Sequence, residues 1–332
     1  MTQRTTRRAF VRDLAILIGS VGLPGKAYPQ QPGSPRRIGV LLVGFPPESK
    51  EAQAFRQGLQ DAGYVEGRDV VIEWRFASGD YARVPALAAD LVQRKVDVIV
   101  VATSVAAKAV KRATSTIPIV MAVVADPVGS GLVTSLAHPS SNVTGLSNIA
   151  SELGAKRLQL LKETIPRLRR VAVLWNPSTP WHPAAIADLK AVAPSLSIEL
   201  KFVGARTSEE LSPAFLDLSR ARAQALYVLD DGLFMVQRRT LVDLASKAQL
   251  PTIYGLRNFP DAGALMSYGA NVEDLYRRSA GYVDKILKGA RPSDLPIEQP
   301  TKFELVVNLK AAKRLKLSIS ESLLLQATEV IK

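Results

Sequence analysis

Histidine and cysteine, which often serve as bases, nucleophiles and metal ligands, are scarce in this 332-residue sequence. There is no cysteine, so disulfides, thiolate metal sites and a cysteine nucleophile are excluded. The two histidines, His138 and His182, do not form a pair with the spacing of metal ligands. We therefore expect no metal site.

The usual motifs of acyl and nucleotide chemistry are also missing. The sequence has no Gly-x-Ser-x-Gly elbow, phosphate loop or complete Gly-x-Gly-x-x-Gly fingerprint. Asp230 and Asp231 could form a carboxylate pair for acid–base work, but neighbours at a strand end point in different directions. We prefer the interpretation that one lines a cleft and the other caps a helix. The sequence thus predicts a protein that is not an enzyme and has no cofactor.

Binding residues are better placed than catalytic ones. In open α/β sheets, ligands bind outside the carboxyl ends of the strands, and small, polar or aromatic residues stand at or near the predicted strand ends. These candidate ligand-binding residues are Gly44, Phe45, Thr103, Ser104 and Asp126 in the first half, and Asn176, Asp230, Asp231, Tyr254 and Tyr268 in the second.

The candidates suit a ligand that carries both charges. Thr103 and Ser104 stand at a predicted helix start, where free N–H groups and the helix dipole favour a carboxylate. Asp230 or Asp231 could hold an ammonium group, so the set fits a zwitterion such as an amino acid. Aromatic rings near the same edge could stack on a flat or apolar side chain: Phe45, Trp175, Trp181, Tyr254 and Tyr268. For each residue the alternative of an ordinary helix cap or core packing stays open.

The elements that must position these residues form two similar halves. Short apolar runs, such as 38–43 and 96–101, alternate with helical spacings, such as 52–61 and 104–114. Continuous β-branched runs between helices predict a parallel sheet covered on both faces. Residues 169–174 and 250–252 match 36–41 and 117–119 at an offset of 133. We predict an α/β fold with two Rossmann-like lobes.

The C-terminal part adds more elements than a second lobe needs. It contains a predicted strand at 264–268, an amphipathic helix at 272–288 and a strand at 303–307. We expect the chain to cross back near 255–263 and return near 296–303. Lobe 1 then comprises 36–145 plus about 257–295, and lobe 2 comprises 146–256 plus about 296–332. Three crossings would form a multi-strand hinge that permits closure around a ligand.

Residues 1–35 differ in composition from the rest. Four arginines precede an apolar run at 14–23, which is typical of a secretory signal, predicted at 1–27 and followed by a linker at 28–35. Arg7 and Arg8, with Phe10 two positions on, resemble the twin-arginine export signature. We expect a periplasmic protein. A basic helix lying on a membrane or a nucleic acid, and a signal retained as an anchor, are the alternatives.

The net charge of +13 raises the question of nucleic-acid binding. Residues 1–27 hold five Lys/Arg and one Asp, so +9 remains without them. The remaining charges are scattered, and no zinc-finger, helix-turn-helix or aromatic RNA-binding signature accompanies them. We expect a solvated basic surface and no nucleic-acid partner.

Several long motifs resemble one family. They are DPVGSGLV at 126–133, SLAHP at 135–139, NVTG at 142–145, LMSYG at 265–269, YVDKILKGA at 282–290 and LPIEQPTKFELVVNLK at 295–310. From about residue 36 to 332 the chain resembles the ABC-transporter substrate-binding proteins of the tryptophan/tyrosine-binding type. The resemblance implies a periplasmic-binding-protein type I fold with the ligand in a hinged cleft. Characterised members bind aromatic amino acids. His138 departs from the arginine that the family usually has there.

We therefore expect a monomeric solute-binding protein that captures a small ligand, with an aromatic amino acid favoured, for an ABC permease in the inner membrane. The alternative is a non-catalytic ligand-sensing module for a membrane receptor. An enzyme with two Rossmann-like lobes, such as a glycosyltransferase, would need a phosphate loop, which the sequence lacks.

Replacing Arg7 and Arg8 together by lysine is expected to block export, because the twin-arginine signature requires the arginine pair. Periplasmic and cytoplasmic fractions of expressing cells measure the effect. Undiminished periplasmic accumulation of the double variant would contradict the twin-arginine interpretation.

Overall fold

A computed structural model describes residues 34–139 and 141–332. The predicted export signal at 1–27 and most of the predicted linker lie outside these residues. None of the helices in the described part combines the length and apolarity that crossing a lipid bilayer requires.

The first lobe is built on a five-stranded parallel sheet with the order β2-β1-β3-β4-β5. Its strands are β1 (Arg36–Leu42), β2 (Val70–Phe76), β3 (Val98–Ala102), β4 (Ile119–Val124) and β5 (Val143–Ser147). The connecting helices are α1 (Lys50–Asp61), α2 (Val84–Gln93) and α3 (Ser104–Ala113), with a 3₁₀ turn at Tyr81–Arg83. Every residue of β3, β4 and β5 is buried, because helices cover both faces of a parallel sheet.

The second lobe is built on a seven-stranded sheet with the order β12-β11-β10-β9-β8-β6-β7. Its strands are β6 (Arg170–Trp175), β7 (Glu199–Gly204), β8 (Ala225–Val228), β9 (Thr252–Tyr254), β10 (Met266–Ala270), β11 (Phe303–Asn308) and β12 (Glu329–Ile331). All its neighbouring pairs are parallel except β10 and β11. Two lobes of mostly parallel sheet confirm the predicted α/β fold class.

Helices connect the strands of the second lobe. They are α4 (Gly154–Thr164), α5 (His182–Val192), α6 (Leu211–Arg220), α7 (Gly232–Val236), α8 (Arg238–Lys247), α9 (Asn258–Asp261), α11 (Leu309–Arg314) and α12 (Glu321–Gln326). Further 3₁₀ turns lie at Ala193–Leu196 and Pro292–Asp294. Asp231 caps α7, and its carboxylate accepts hydrogen bonds from the first N–H groups of that helix.

The long helix α10 (Val272–Leu287) returns to the first lobe, where it packs along α1 and over β4. Asn271 caps it by accepting a hydrogen bond from the Asp274 N–H. One face is buried, and it includes Leu275, Ala280 and Val283. The apolar spacing of this helix is therefore what anchors the returning chain.

The structure corrects the expected lobe boundaries. β10 pairs with β9 and β11, so the chain stays in the second lobe up to Ala270 and crosses at Asn271, not near 257. Residues 297 and 298 still bond to the first lobe, so the return crossing lies at 299–302. The first crossing follows β5, after Ser147. Sequence patterns identify a strand but not the sheet that it joins, because strand pairing is set by distant partners.

α1 and α10 approach closely at Gly58. A Cβ at Gly58 would lie 2.8 Å from Ala280 Cβ and closer still to the Arg277 carbonyl oxygen. We expect Gly58→Ala to lower the free energy of unfolding by about 1–3 kcal/mol, because the helices must move apart. Urea titration followed by circular dichroism measures this.

Gly281→Ala on α10 is the matched control, since nothing lies within 4 Å of a Cβ at that position. It should leave stability unchanged or raise it by up to about 1 kcal/mol. If both substitutions change the free energy of unfolding equally, close packing of α1 and α10 is not the reason why Gly58→Ala affects stability.

Candidate ligand-binding cleft

A cleft lies between the two lobes at the carboxyl ends of their parallel strands. The space not filled by protein atoms, which includes open solvent, measures about 540 Å³. Residues of both lobes line it: Gly44, Phe45, Tyr81, Thr103, Ser104, Val105, Val123 and Ala125 from the first, Asn148 from the first crossing, and Thr179, Trp181, Asp230, Asp231, Gly232, Met235 and Leu256 from the second. Six predicted site residues are among them, namely Gly44, Phe45, Thr103, Ser104, Asp230 and Asp231.

The wall from the first lobe offers hydrogen-bond donors at the start of α3. Thr103 caps this helix through its Oγ1, which accepts a hydrogen bond from the Ala106 N–H at 3.3 Å. The N–H groups of Ser104 and Val105 have no acceptor within the helix, as at every helix start. Ser104 is 2% exposed, and its buried hydroxyl has no partner among the described residues. These donors meet at the positive end of the helix dipole.

Thr103 holds an unusual backbone conformation at this point, with φ +94° and ψ 145°. Positive φ is uncommon outside glycine, and strain of this kind clusters at functional sites because it must be held by the surrounding structure. Its N–H donates to the Val123 carbonyl at 2.9 Å, which fixes the turn from β3 into α3. The strained residue therefore aims the helix start at the cleft.

The wall from the second lobe carries Asp230, which is paired from behind. Its Oδ2 accepts a hydrogen bond from Arg157 Nη2 at 3.2 Å, and its Oδ1 accepts one from the Gly255 N–H at 3.0 Å. The Arg157 side chain is 1% exposed and also donates to the Tyr268 carbonyl at 2.7 Å and the Tyr227 hydroxyl at 3.2 Å. Arg157 thus holds the Asp230 carboxylate in place from the interior.

The carboxylate of Asp231 is occupied by hydrogen bonds from other groups of the protein. It accepts five hydrogen bonds, from Leu233 N (2.9 Å), Phe234 N (3.3 Å), Asn176 Nδ2 (3.3 Å), the Tyr81 hydroxyl (2.5 Å) and the Thr179 hydroxyl. Four of these donors belong to the second lobe, and Tyr81 belongs to the first. The carboxylate therefore has little capacity left for a ligand, and Asp230 is the better acceptor of the two.

His182 lies beneath this wall and is neutral. Its Nδ1 accepts a hydrogen bond from the Asn176 N–H at 3.0 Å, so its Nε2–H is the group that donates to the Asp230 carbonyl at 3.1 Å. Burial is the main cause that lowers the pKa of His182. With His182 neutral, the carboxylates of Asp230 and Asp231 face the single positive charge of Arg157, so this wall has a net charge of one negative unit.

The rest of the lining is largely apolar. Phe45 packs edge-to-face on Tyr276, with ring centroids 5.9 Å apart, and Trp181 packs the same way on His182 at 4.6 Å. Val105, Met235 and Leu256 complete this part. Of the described residues that line the cleft, only Asp230 and Asp231 are charged. The cleft therefore has hydrogen-bond donors at the start of α3, carboxylates on the wall of the second lobe, and otherwise apolar walls.

Four predicted site residues are not among the lining residues. Asn176 is fully buried and bonds to Asp231, and Asp126 accepts a hydrogen bond from the Gly129 N–H in its own turn at 2.8 Å. Tyr254 stacks on Phe259 of α9 at 3.9 Å, and Tyr268 stacks on Phe303 of β11 at 6.4 Å. The end of a strand is a sound guide to the edge of the sheet, but the side-chain direction decides whether a residue reaches the cleft.

Sequence reasoning missed several lining residues, in particular Tyr81, Asn148 and Thr179. Tyr81 lies in a 3₁₀ turn and Thr179 in the loop before α5, where no periodic pattern marks them. Trp181 is one of the aromatic residues that the sequence places near this edge, and at 4% exposed it is buried in the cleft wall. Within the described residues, no group of three or more His, Cys, Asp or Glu is placed to hold a metal ion.

The sequence matches, over residues 38–331, the family described as "ABC transporter substrate binding protein". The tyrosine-binding protein of Clostridioides difficile (strain R20291) is 30% identical over 287 residues, which cover 85% of this chain and 82% of that protein.

Two similar solved structures differ in ligand state. The ABC domain in complex with L-Trp from Streptococcus pneumonia is 26% identical and superposes with a TM-score of 0.83, covering 90% of this chain and 100% of that one. A ligand-free, open substrate binding protein with adhesive properties from Clostridium difficile is 27% identical, with a TM-score of 0.64 and coverage of 90% and 99%. The two proteins are nearly equally identical to this chain in sequence, but its fold resembles the L-Trp complex more closely than the ligand-free, open structure.

The buried, neutral His182 should make stability depend on pH. Its pKa in the folded protein lies below the ordinary value of 6.5, so the unfolded chain binds the extra proton as the pH falls. We expect the free energy of unfolding to decrease below about pH 6.5, by at most about 1.4 kcal/mol per pH unit from this group. Urea titrations at pH 7.5 and 5.5 measure the difference.

His182→Gln removes this titration and should flatten the pH dependence. If the variant keeps the pH dependence of the natural protein, His182 is not its source.

Proposed function

The chain belongs to the family of ABC transporter substrate binding proteins, and we propose that it captures an α-amino acid with an aromatic side chain for import. The amino acid would bind between the lobes and pass to the permease of an ABC importer on the outer side of the inner membrane. Members of this family bind solutes, so the protein is not an enzyme. The observation that carries the proposal is the opposition of a helix N-terminus and a negatively charged wall across one cleft.

The α-carboxylate would bind at the start of α3. The N–H groups of Ser104 and Val105 and the Ser104 hydroxyl offer three donors to an anion, at the positive end of the dipole. A buried hydroxyl without a partner costs free energy, which a ligand oxygen would recover. A carboxylate fits because it can accept from several of these donors at once.

The α-ammonium would bind at Asp230. Its side chain is 10% exposed and lines the cleft, and each of its oxygens accepts one hydrogen bond from the protein. A carboxylate oxygen has a second lone pair available. The ammonium charge would also balance the negative charge that Arg157 leaves uncompensated, which is why a zwitterion suits the cleft better than an anion.

The ligand side chain would lie against the apolar walls, among Phe45, Trp181 and Met235. Aromatic rings bury large apolar areas and favour edge-to-face or offset contacts with Phe and Trp. The names of the relatives point the same way, since one is a tyrosine-binding protein and the other was solved with L-Trp.

Binding would act by closing the lobes. The closed form brings both walls to the ligand, so the ligand shifts the open–closed equilibrium by its difference in affinity for the two forms. Contacts across the cleft, and the higher TM-score with the L-Trp complex than with the ligand-free, open structure, support a closed arrangement here. The predicted export signal and the ABC transporter family support a site of action outside the cytoplasm.

Thermal shift and calorimetry with matched ligands test the proposal. L-Tyrosine and L-tryptophan should raise the melting temperature, and tryptamine and N-acetyl-L-tryptophan should not, because each lacks one of the two charges. L-Lysine and glucose serve as polar controls. Binding of tryptamine as tight as that of L-tryptophan, or no binding of any amino acid, would refute it.

Ser104→Ala should weaken binding of the favoured amino acid about tenfold to a hundredfold, as expected for a hydrogen bond to a charged group. It should not destabilise the unliganded protein, because the hydroxyl has no partner among the described residues. Ser49→Ala is the control. It removes the cap of α1 and should cost about 1 kcal/mol of stability without changing affinity.

A further inference from the structure

We propose that Tyr81 is the gate of the cleft and holds the closed lobes together. Its hydroxyl bonds across the gap to the second lobe, and its ring separates the cleft from a second groove that lies outside it. This inference rests on the proposed function, because it assigns the residue that determines how slowly the bound solute leaves.

The hydroxyl of Tyr81 has its partners in the opposite lobe. It donates to Asp231 Oδ2 at 2.5 Å, lies 3.2 Å from Thr179 Oγ1, and accepts a hydrogen bond from the Gly232 N–H at 3.3 Å. Burial first, and then the Asp231 carboxylate, raise the pKa of Tyr81 well above its usual value. The phenol therefore stays protonated and remains a donor. One side chain of the first lobe thus completes the shell of a buried carboxylate in the second.

The backbones around Tyr81 are packed as tightly as glycine allows. A Cβ at Gly232 would lie 2.7 Å from Val43 Cγ1, and a Cβ at Gly44 would lie 3.1 Å from Gly232 Cα. Gly79, two residues before Tyr81, would meet Leu233 Cα at 3.1 Å and has φ +78°. The start of α7 therefore lies directly on the first lobe here. Contacts of this closeness exist only when the lobes are closed, so the Tyr81 bonds belong to the closed form.

The ring of Tyr81 has a second role in the structure. Tyr81 and Val105 line both the cleft and an outer groove, whose other walls include Lys108 and Arg112 of the first lobe and Ser178 and Pro180 of the second. The outer groove also lies between the lobes, with about 930 Å³ of unfilled space that includes open solvent. The two spaces thus share Tyr81 as a wall. With the hydroxyl bonded to Asp231, the ring cannot swing aside without breaking that bond.

A gate of this kind has a kinetic signature. Ligand enters the open form, in which the Tyr81 bonds are absent, so the hydroxyl should affect the association rate only through the fraction of unliganded protein that is open. Ligand leaves only after the bonds break, so the dissociation rate should depend on the hydroxyl. Tyr81→Phe keeps the ring and loses the bonds, and should raise the dissociation rate about tenfold or more, as for a hydrogen bond to a charged group. Tyr81→Ala also removes the wall and should raise it further.

Tyr64→Phe is the matched control. Its hydroxyl also donates to a carboxylate, Asp284 Oδ1 at 3.0 Å, but both residues belong to the first lobe. Stopped-flow fluorescence with excitation of tryptophan measures both rates with L-tyrosine as ligand, since Trp181 lines the cleft. A dissociation rate of Tyr81→Phe equal to those of the natural protein and Tyr64→Phe would overturn the proposal, while amino-acid binding itself would stand.

A second measurement reports closure without depending on ligand. The chain has no native cysteine, so Val65→Cys and Leu216→Cys at exposed positions of the two lobes can carry a pair of spin labels. Electron–electron resonance distances should show a smaller closed fraction for Tyr81→Phe than for Tyr64→Phe, with saturating L-tyrosine or without any ligand. Equal closed fractions would overturn the gate. Failure of the natural protein to bind any amino acid would refute the proposed function and leave this comparison intact.

Discussion

The carboxylate of Asp231 must be satisfied although it lies inside the protein, and much of the cleft is arranged around that constraint. Burying a charge is costly unless hydrogen bonds replace water. Five donors do so, and four of them stay with the second lobe in any arrangement of the lobes. The fifth comes from Tyr81 and is available only on closure. When the lobes open, water can take its place, so the net gain on closure is modest, about 1.5–3 kcal/mol for a hydrogen bond to a charged group. A contact of that size lets a bound solute decide the balance between the two forms.

The neighbouring carboxylate, that of Asp230, has a different role. Asp230 faces the cleft, and Arg157 pairs with it from the interior while also bonding to the Tyr268 carbonyl on β10. β10 is the last strand before the chain crosses to α10. The same guanidinium therefore fixes both a lining residue and a strand next to the hinge. Gly255 and Gly269 make room for it, since a Cβ at either position would come within about 3.4 Å or less of Arg157 Nη2. Close packing against Arg157 therefore explains the glycine of the motif that contains Tyr268 and Gly269.

Periodicity and local chemistry predicted most of the architecture. The alternation of buried strands and helices, and the repeat at an offset of 133, follow from hydrophobic spacing that each lobe shows within a short stretch. The helix start at Thr103 and Ser104 was also predictable, because a polar residue after a buried strand is a local signal. Tyr81 and Thr179 carry no such signal. They enter the site only because a 3₁₀ turn in one lobe meets a loop in the other, which is a contact between segments 98 residues apart.

The sequence by itself determined that the chain forms two α/β lobes and which edge of each sheet carries polar groups, because side-chain periodicity and helix capping act over a few residues. Only the tertiary structure decided that Asp230 faces the cleft while Asp231 serves the protein, that β10 belongs to the second lobe, and that Tyr254 turns into the core. Each of these outcomes depends on partners far away in the chain: Arg157 behind Asp230, Tyr81 across from Asp231, β9 and β11 beside β10, and Phe259 beneath Tyr254. The reason is physical, since the direction of a side chain at the end of a strand is set by the hydrogen bonds and packing that satisfy it, and those are known only when the chain is folded.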